Sequence, residues 1–247
     1  CLVCVMVSLN KEKLPNNSAD IKGFSLLKKI PYYETDDINS KKFSSYLKEL
    51  EVDFVLSTWP HLISKNIINI PKYGVIGTHP TPLPRNKGRH PLHWMVALGL
   101  SNSAVSFFKM DEDIDSGNIL IQEPFLIGET INSANENMIS AGERGLKKLL
   151  KSFNNKYTGT KQDVNKGNSL RKRDIHDITI DPRMGSNVII KIVNSFCYPY
   201  PLARLYFKKN SYLNIAQVNV LSTEELDKNW EDYELSLIHI SEPTRPY

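Results

Sequence analysis

The stretch GVIGTHPTPLPRNKGRHPLHWMVALGLSNSAVSFFKMDEDIDSGNILIQ, residues 74–122, contains three apolar runs separated by a proline-rich loop and an acidic turn. Near-continuous apolar runs of this length are typical of buried strands in a sheet that is covered on both faces. They predict strands at Gly74–Thr78, Ala104–Met110 and Ile119–Phe125. Pro91 fits the first turn of a helix, where its missing N–H is not needed, and this predicts a helix over His90–Leu100.

The same alternation of patterns extends through the first 150 residues. Apolar runs predict strands at Leu2–Leu9 and Asp53–Ser57, and apolar residues at helical spacing predict helices over Ser40–Leu50 and Asn135–Phe153. Alternating strands and helices are typical of α/β proteins. We therefore predict an α/β fold for residues 1–153, with a Rossmann-like, mainly parallel sheet and helices on both faces.

The composition changes after this region. Residues 154–168 are polar, contain glycine and have few large apolar side chains, which predicts a linker. The sequence then predicts a smaller α+β unit over residues 169–234, which we expect to be a partial C-terminal subdomain. Its predicted elements are a helix at Val188–Ser195 and paired strands at Leu202–Phe207 and Tyr212–Val220.

Both ends of the sequence are unusual. The chain begins with Cys1 inside a strand-like apolar run, so we expect that the natural protein has earlier residues, including a first strand. Residues 235–245 read LSLIHISEPTR, which matches the translation of a common sequencing adapter. We interpret residues 235–247 as an artefact and exclude them from further argument.

The overall composition is that of an ordinary globular protein. Hydrophobic residues make up 40% of the chain, and 31 basic residues against 27 acidic ones give a net charge of +4, which is no strong indication of nucleic-acid binding. The three cysteines are too few for a disulfide framework, and no apolar run reaches the roughly 18 to 20 residues of a membrane span. These features predict a cytoplasmic protein without a membrane segment, and they indicate no oligomeric state.

Two polar segments follow predicted strands. His79 comes directly after the strand at Gly74–Thr78, in a loop that Pro80, Pro82 and Pro84 stiffen. Because ligands in open α/β sheets bind beyond the carboxyl ends of strands, His79 is a candidate functional residue, although a lone histidine is more often structural. Asp115 belongs to the acidic turn after Ala104–Met110, and such turns are usually solvated loops. If the two strands are neighbours, however, His79 and Asp115 would form a His–Asp couple suited to acid–base chemistry.

A second histidine pattern carries less weight. His90 and His93 have an H-x-x-H spacing, but the sequence offers no third ligand for them. We predict no metal site.

The residues around His79 and Asp115 closely resemble the folate-dependent formyltransferase superfamily, which includes methionyl-tRNA formyltransferases and sugar N-formyltransferases. The family signature is an N-x-H-P-S-L-L-P loop with a following R-G, and later a D-E-x-x-D-x-G turn. This sequence has Gly77-Thr78-His79-Pro80-Thr81-Pro82-Leu83-Pro84, then Lys87-Gly88, and Asp111-Glu112-Asp113-Ile114-Asp115-Ser116-Gly117. The Arg171-Lys172-Arg173 and Tyr198-Pro199-Tyr200-Pro201 segments echo the family's C-terminal region.

The resemblance implies an enzyme that transfers a formyl group from 10-formyltetrahydrofolate to an amine. It assigns catalysis to His79 and Asp115, and it places Gly77 where the family has a catalytic Asn. By the same resemblance the folate-binding residues are Trp59, His61, Ile63, Met110, Asp111 and Asp113. The substrate-binding residues are Thr81, Pro82, Arg85, Lys87 and Arg89, although the three basic side chains also fit a solvated loop face.

The acceptor implied by the resemblance is a nucleotide-linked amino sugar or an initiator methionyl-tRNA. The departures from the usual methionyl-tRNA pattern, G-T-H-P-T-P-L-P and R-H-P-L-H-W, slightly favour a sugar or another small amine. Gly77 keeps a second hypothesis open, that of a catalytically degenerate folate-binding protein with the same fold.

Overall fold

The computed structural model describes residues 2–14, 18–152, 158–208 and 211–220. The strands are β1 Met6–Ser8, β2 Tyr32–Glu34, β3 Val55–Ser57, β4 Val75–His79, β5 Lys87–Gly88, β6 Asn102–Lys109, β7 Ile119–Leu126, β8 Ser169–Leu170, β9 Thr179–Ile180, β10 Ala203–Lys208 and β11 Ser211–Ile215. The helices are α1 Ile21–Leu27, α2 Lys41–Glu49, α3 Lys65–Ile68, α4 Pro91–Leu98, α5 Ile131–Ser152 and α6 Ser186–Asn194.

The central sheet has the strand order β3-β4-β6-β7. β3 and β4 are parallel, with Val55 opposite Val75, whereas β6 runs antiparallel to β4, with Ile76 opposite Lys109. A further parallel pair, β1 and β2, forms a sheet of its own. The predicted α/β class is confirmed, and the antiparallel direction of β6 is a feature that the apolar runs did not show.

The chain divides into two compact units. Unit 1 contains Cys1–Lys87, Ala104–Glu123 and Gly142–Asn168, and unit 2 contains Gly88–Ser103, Pro124–Ala141 and the residues from Ser169 onward. The predicted domain boundaries, with a linker at 154–168 and a subdomain at 169–234, stay predictions. Residues 221–247, including the segment that we interpret as an artefact, lie outside the described part of the chain.

An apolar cluster between α2, α3 and the start of β4 forms a core in unit 1. Its buried members are Ile38, Phe43, Leu47, Ile63, Ile67, Ile68 and Val75. The α2 helix fits there because Phe43 and Leu47 lie one turn apart on one face, and the Ser40 hydroxyl caps the helix by accepting from the Phe43 N–H. The helix predicted over Ser40–Leu50 is confirmed.

Unit 2 has its own core, formed by α6 and the sheet β11-β10-β9. The buried residues there are Ile180, Ile189, Val193, Ala203, Leu205 and Ile215. β10 and β11 are antiparallel, with Ala203 opposite Ile215, so the predicted helix and strand pair are confirmed. The second strand ends at Ile215 and not at Val220 as expected.

Other predicted elements also have different limits in the structure. The strand expected over Leu2–Leu9 is restricted to Met6–Ser8, and Leu2 is 85% exposed. α5 begins at Ile131, four residues before the expected start. Among the described residues, no helix is both long enough and apolar enough to cross a bilayer.

Candidate active site

His79 is the last residue of β4, and only 6% of its surface is exposed. Its Nε2 lies 3.1 Å from the carbonyl oxygen of Asn86, and its Nδ1 lies 3.5 Å from Oδ2 of Asp115. A carbonyl and a carboxylate only accept hydrogen bonds. An imidazolium therefore donates toward both groups, whereas a neutral ring donates toward one. The structure brings the predicted His–Asp couple together.

Asp115 reaches His79 by a different path from the one that we expected. The Met110 N–H donates to the Val75 carbonyl, so β6 ends beside the start of β4 and not beside His79. The two strands are neighbours, as the predicted couple requires, but they are antiparallel, so their carboxyl ends lie at opposite edges of the sheet. The acidic turn runs back toward the carboxyl end of β4, and Asp115 lies in it with φ 52°.

The acidic turn is closed by its own side chains. Asp111 accepts hydrogen bonds from the Ser116 hydroxyl and from the Asp113 N–H, and the Ser116 hydroxyl lies 3.1 Å from the Asp113 carbonyl. A Cβ at Gly117 would overlap the Lys109 carbonyl, so only glycine fits this position. The turn is therefore a defined shape and not a loose acidic loop.

Gly77 faces an aromatic ring. It pairs with Phe108 across the β4–β6 ladder, and a Cβ at residue 77 would lie 2.7 Å from Phe108 Cζ and 3.1 Å from Met110 Cγ. Phe108 is itself 2% exposed, so little free space surrounds its ring. The volume that a side chain at residue 77 needs is thus filled by apolar atoms, and an Asn does not fit there without movement of Phe108.

The proline-rich loop after His79 is held by buried polar contacts. The Thr81 hydroxyl donates to the Arg85 carbonyl over 2.7 Å, and Ser106 Oγ accepts from the Leu83 N–H and from Gln122 Nε2. Thr81 is fully buried, so its side chain serves the loop, and the prediction that it contacts substrate gains no support. Pro82 and Lys87 are half-buried, and Arg85 and Arg89 are exposed.

The predicted folate-binding residues fall into two groups. Ile63 belongs to the apolar core of unit 1, and Trp59 and Met110 pack against that core as partly buried side chains. His61, Asp111 and Asp113 are exposed. Lys65, at the start of α3, forms an exposed ion pair of 3.3 Å with Glu112, which brings the loop after β3 close to the acidic turn.

Two residues of the site were missed by sequence reasoning. Asn86 binds the His79 ring through its backbone carbonyl, which carries no signal in the sequence. Gln162 is buried and donates to the Asp115 and Gly117 carbonyls, but it stands in the polar segment that we expected to be a linker. Neither position has a pattern that would have pointed to it.

His90 and His93 lie in unit 2, beside an aromatic ring and basic side chains. His93 Nδ1 lies 2.7 Å from the Ser195 carbonyl, and its ring stacks on Phe196 at 4.5 Å. Burial, and then the charges of Lys172, Arg89 and Arg173, lower the pKa of His90. Within the described ranges, no three His, Cys, Asp or Glu side chains are grouped so that they could hold a metal ion.

His93 gives a pH-dependent stability. Burial lowers the pKa of His93 to about 4 from an ordinary 6.5, although the hydrogen bond to Ser195 opposes the shift. As the pH falls below 6.5 the unfolded state takes up a proton that the folded state refuses, so stability is lost between pH 6.5 and 4. At pH 4.5 the free energy of unfolding is therefore lower than at pH 7 by about 2 to 3 kcal/mol.

Urea unfolding of wild type and of His93→Phe at pH 7 and pH 4.5 measures this contribution. We expect the variant to lose about 2 to 3 kcal/mol less than wild type on acidification. The exposed His176 supplies the control, since His176→Phe should show the wild-type pH dependence. An identical acid loss in wild type and His93→Phe would contradict the buried, neutral state of His93.

Comparison with known proteins places the chain among formyl-transferring proteins. A family model described as formyl transferase matches residues 4–149. The methionyl-tRNA formyltransferase of Prochlorococcus marinus (strain AS9601) is 30% identical over 221 residues, which cover 85% of this chain and 66% of that protein. The chain thus spans slightly less than two thirds of the length of that relative.

Two solved structures are similar in fold. A methionyl-tRNA formyltransferase from Clostridium thermocellum matches with a TM-score of 0.61 and 18% identity, over 87% of this chain and 98% of that one. A sugar 3N-formyl transferase, solved in the presence of dTDP and 5-N-formyl-THF, matches with a TM-score of 0.60 and 22% identity. That match covers 78% of this chain and 69% of the other.

Proposed function

Because the chain belongs to the formyl transferase family, we propose that it transfers the formyl group of 10-formyltetrahydrofolate to a primary amine. The observation that carries the proposal is the His79–Asp115 pair, with 3.5 Å between Nδ1 and Oδ2 at the end of β4. Both residues lie within the matched range 4–149. We also propose that the protein acts in the cytoplasm, where its three cysteines would remain reduced.

The reaction forms a bond between the amine nitrogen and the formyl carbon and breaks the bond from that carbon to N10 of the folate. The amine loses one proton and N10 gains one. Asp115 holds Nδ1 of His79, so Nε2 is the ring atom that faces the reacting groups once it leaves the Asn86 carbonyl. We assign the proton transfer to His79, whose Nε2 takes the proton that the amine loses. The resulting imidazolium then stabilises the oxyanion, because Phe108 leaves no room for a side-chain donor beside Gly77, and gives the proton to N10.

The residues around the acidic turn fit a folate. Trp59 and Met110 present partly buried apolar surface beside the core, which suits a flat ring system. The carboxylates of Asp111 and Asp113 are exposed and accept hydrogen bonds from amino groups. We propose that these four residues, with His61 and Ile63, form the folate site.

Two acceptors are supported by different observations. The 30% identity to a methionyl-tRNA formyltransferase favours methionyl-tRNA. The departures in the His79 loop favour a nucleotide-linked amino sugar, and the exposed Arg85 and Arg89 suit the phosphates of either acceptor.

A parallel assay with methionyl-tRNA and with nucleotide-linked amino sugars separates the two acceptors and also tests the degenerate alternative. The expected result is N-formylated product from one acceptor class, at a rate that rises with 10-formyltetrahydrofolate. A protein that binds the unreactive 5-formyl folate but formylates neither acceptor would favour the degenerate folate-binding hypothesis and would overturn the proposal.

A further inference from the structure

We propose that Gln162 is a positioning residue that fixes Asp115 and thereby the His79–Asp115 geometry. The inference rests on the proposed function, because it concerns a residue that acts through the catalytic pair.

The contacts of Gln162 are made to the backbone of the acidic turn. Its Nε2 donates to the Asp115 carbonyl over 2.9 Å and to the Gly117 carbonyl over 2.7 Å. Both partners are carbonyls, which only accept, so the nitrogen of the side-chain amide has to face them. The side chain is 6% exposed and has no room to serve as a solvated group. Gln162 therefore joins the two sides of the turn that carries the catalytic carboxylate.

The turn needs such a fixing contact at Asp115. Asp115 has φ 52°, a left-handed conformation that a non-glycine residue keeps only when its surroundings hold it there. Gln162 Nε2 donates to the carbonyl of Asp115 itself and to the carbonyl of Gly117, two residues later. The backbone is therefore held on the C-terminal side of Asp115. If these bonds are lost, the backbone relaxes toward a commoner conformation, and the carboxylate turns away from Nδ1 of His79.

Gln162 is itself held in place by β7. Ile119 and Thr160 exchange two backbone hydrogen bonds of 2.8 Å, and Asn118 Nδ2 donates to the Thr158 carbonyl over 3.0 Å. Residues 158–162 are thus tied to the start of β7, within unit 1. This part of the expected linker belongs to the support of the site.

The oxygen of the same amide, Oε1, also indicates a positioning role for Gln162. Gln162 Oε1 is buried and has no hydrogen-bond partner among the described residues. A buried acceptor without a partner is costly, and a methionine of similar size would avoid that cost. A residue selected for packing alone would therefore not be glutamine, which points to the two Nε2 bonds as its role.

A double-mutant cycle with Gln162→Met and Asp115→Asn tests the proposal in the full chain. Initial rates are measured with 10-formyltetrahydrofolate and whichever acceptor, methionyl-tRNA or a nucleotide-linked amino sugar, wild type formylates. We expect Gln162→Met to lower kcat by about 10- to 100-fold, with KM for both substrates within about twofold of wild type. In the Asp115→Asn background, Gln162→Met should lower kcat by less than about twofold, because the carboxylate that Gln162 positions is already absent.

Two further variants complete the experiment. Asn165→Leu changes an exposed residue of the same segment and should leave kcat unchanged. If Gln162→Met fails to fold, Gln162→Leu replaces it in the cycle, since a smaller apolar side chain likewise cannot donate to the two carbonyls. Hydrogen–deuterium exchange should rise at residues 115–118 in the Gln162 variant and not in Asn165→Leu.

The outcomes distinguish failure of the positioning role of Gln162 from failure of the proposed function. An equal loss of kcat from Gln162→Met in the wild-type and Asp115→Asn backgrounds would overturn the positioning role, as would a loss confined to KM or an unchanged rate. A wild-type protein that formylates neither acceptor would instead overturn the proposed function.

Discussion

Replacing His79 by alanine is expected to lower kcat/KM for formyl transfer by about 100- to 10,000-fold, the usual contribution of a positioned acid–base group. His79 is buried at the end of β4, and its two ring nitrogens face the Asp115 carboxylate and the Asn86 carbonyl. Alanine removes the group that exchanges a proton with the reacting atoms and leaves the strand intact. Steady-state rates of tetrahydrofolate formation measure the effect.

His176→Ala is the matched control, because His176 is exposed in unit 2 and has no part in the proposed site. It should retain wild-type kcat/KM. Circular dichroism and thermal unfolding of His79→Ala should show a folded protein, since otherwise the loss would report on stability. A folded His79→Ala variant with wild-type kcat/KM would contradict the proposed role of His79.

Gly77→Asn, which introduces the residue found at this position in the family signature, is expected to damage the protein and not to improve it. A Cβ at residue 77 would lie 2.7 Å from Phe108 Cζ, and the remaining Asn atoms have to enter the same filled space. Overpacking of this kind costs about 1 to 3 kcal/mol of stability. Displacement of Phe108 and Met110 should also disturb the turn that leads to Asp115, so kcat/KM should fall. Urea unfolding and steady-state kinetics measure the two effects.

The double variant Gly77→Asn/Phe108→Ala tests the reason for that loss. Phe108→Ala removes the ring that obstructs residue 77, and the added Asn then supplies a donor near the oxyanion. Relative to Phe108→Ala alone, the double variant should gain about 100-fold in kcat/KM, as expected for one donor to an oxyanion. If Gly77→Asn alone is as stable as wild type and more active, Phe108 does not control this position.

The strands and helices that the sequence predicted correctly are those whose burial leaves a pattern in the sequence. Val75 and Ile76 are at most 1% exposed, and such fully buried strands appear in the sequence as continuous apolar runs. α2 was predictable for a similar reason, since Phe43 and Leu47 recur at helical spacing behind a capping serine. The signatures around His79 and Asp115 likewise indicated a pair that the structure brings within 3.5 Å.

The details of the site depend on information that local patterns do not carry. An apolar run has the same appearance whichever way its strand points, so the antiparallel direction of β6 was hidden. That direction puts Phe108 opposite Gly77 and makes the acidic turn run back to His79. Gln162 stands in a polar segment without periodicity, and its contacts join residues 47 and 45 positions apart. Such long-range pairs arise only in the folded chain.

Transfer of an isotopically labelled formyl group is the direct test of the proposed reaction and of the role of His79 in it. The full chain is incubated with 10-formyltetrahydrofolate labelled with ¹³C in the formyl group, together with methionyl-tRNA or a nucleotide-linked amino sugar, and the products are identified by mass spectrometry. Wild type should form labelled N-formyl product and an equal amount of tetrahydrofolate, and His79→Ala should form neither above background. Label that stays on the folate in the presence of both acceptors, or an unlabelled formyl product, would contradict the proposed reaction.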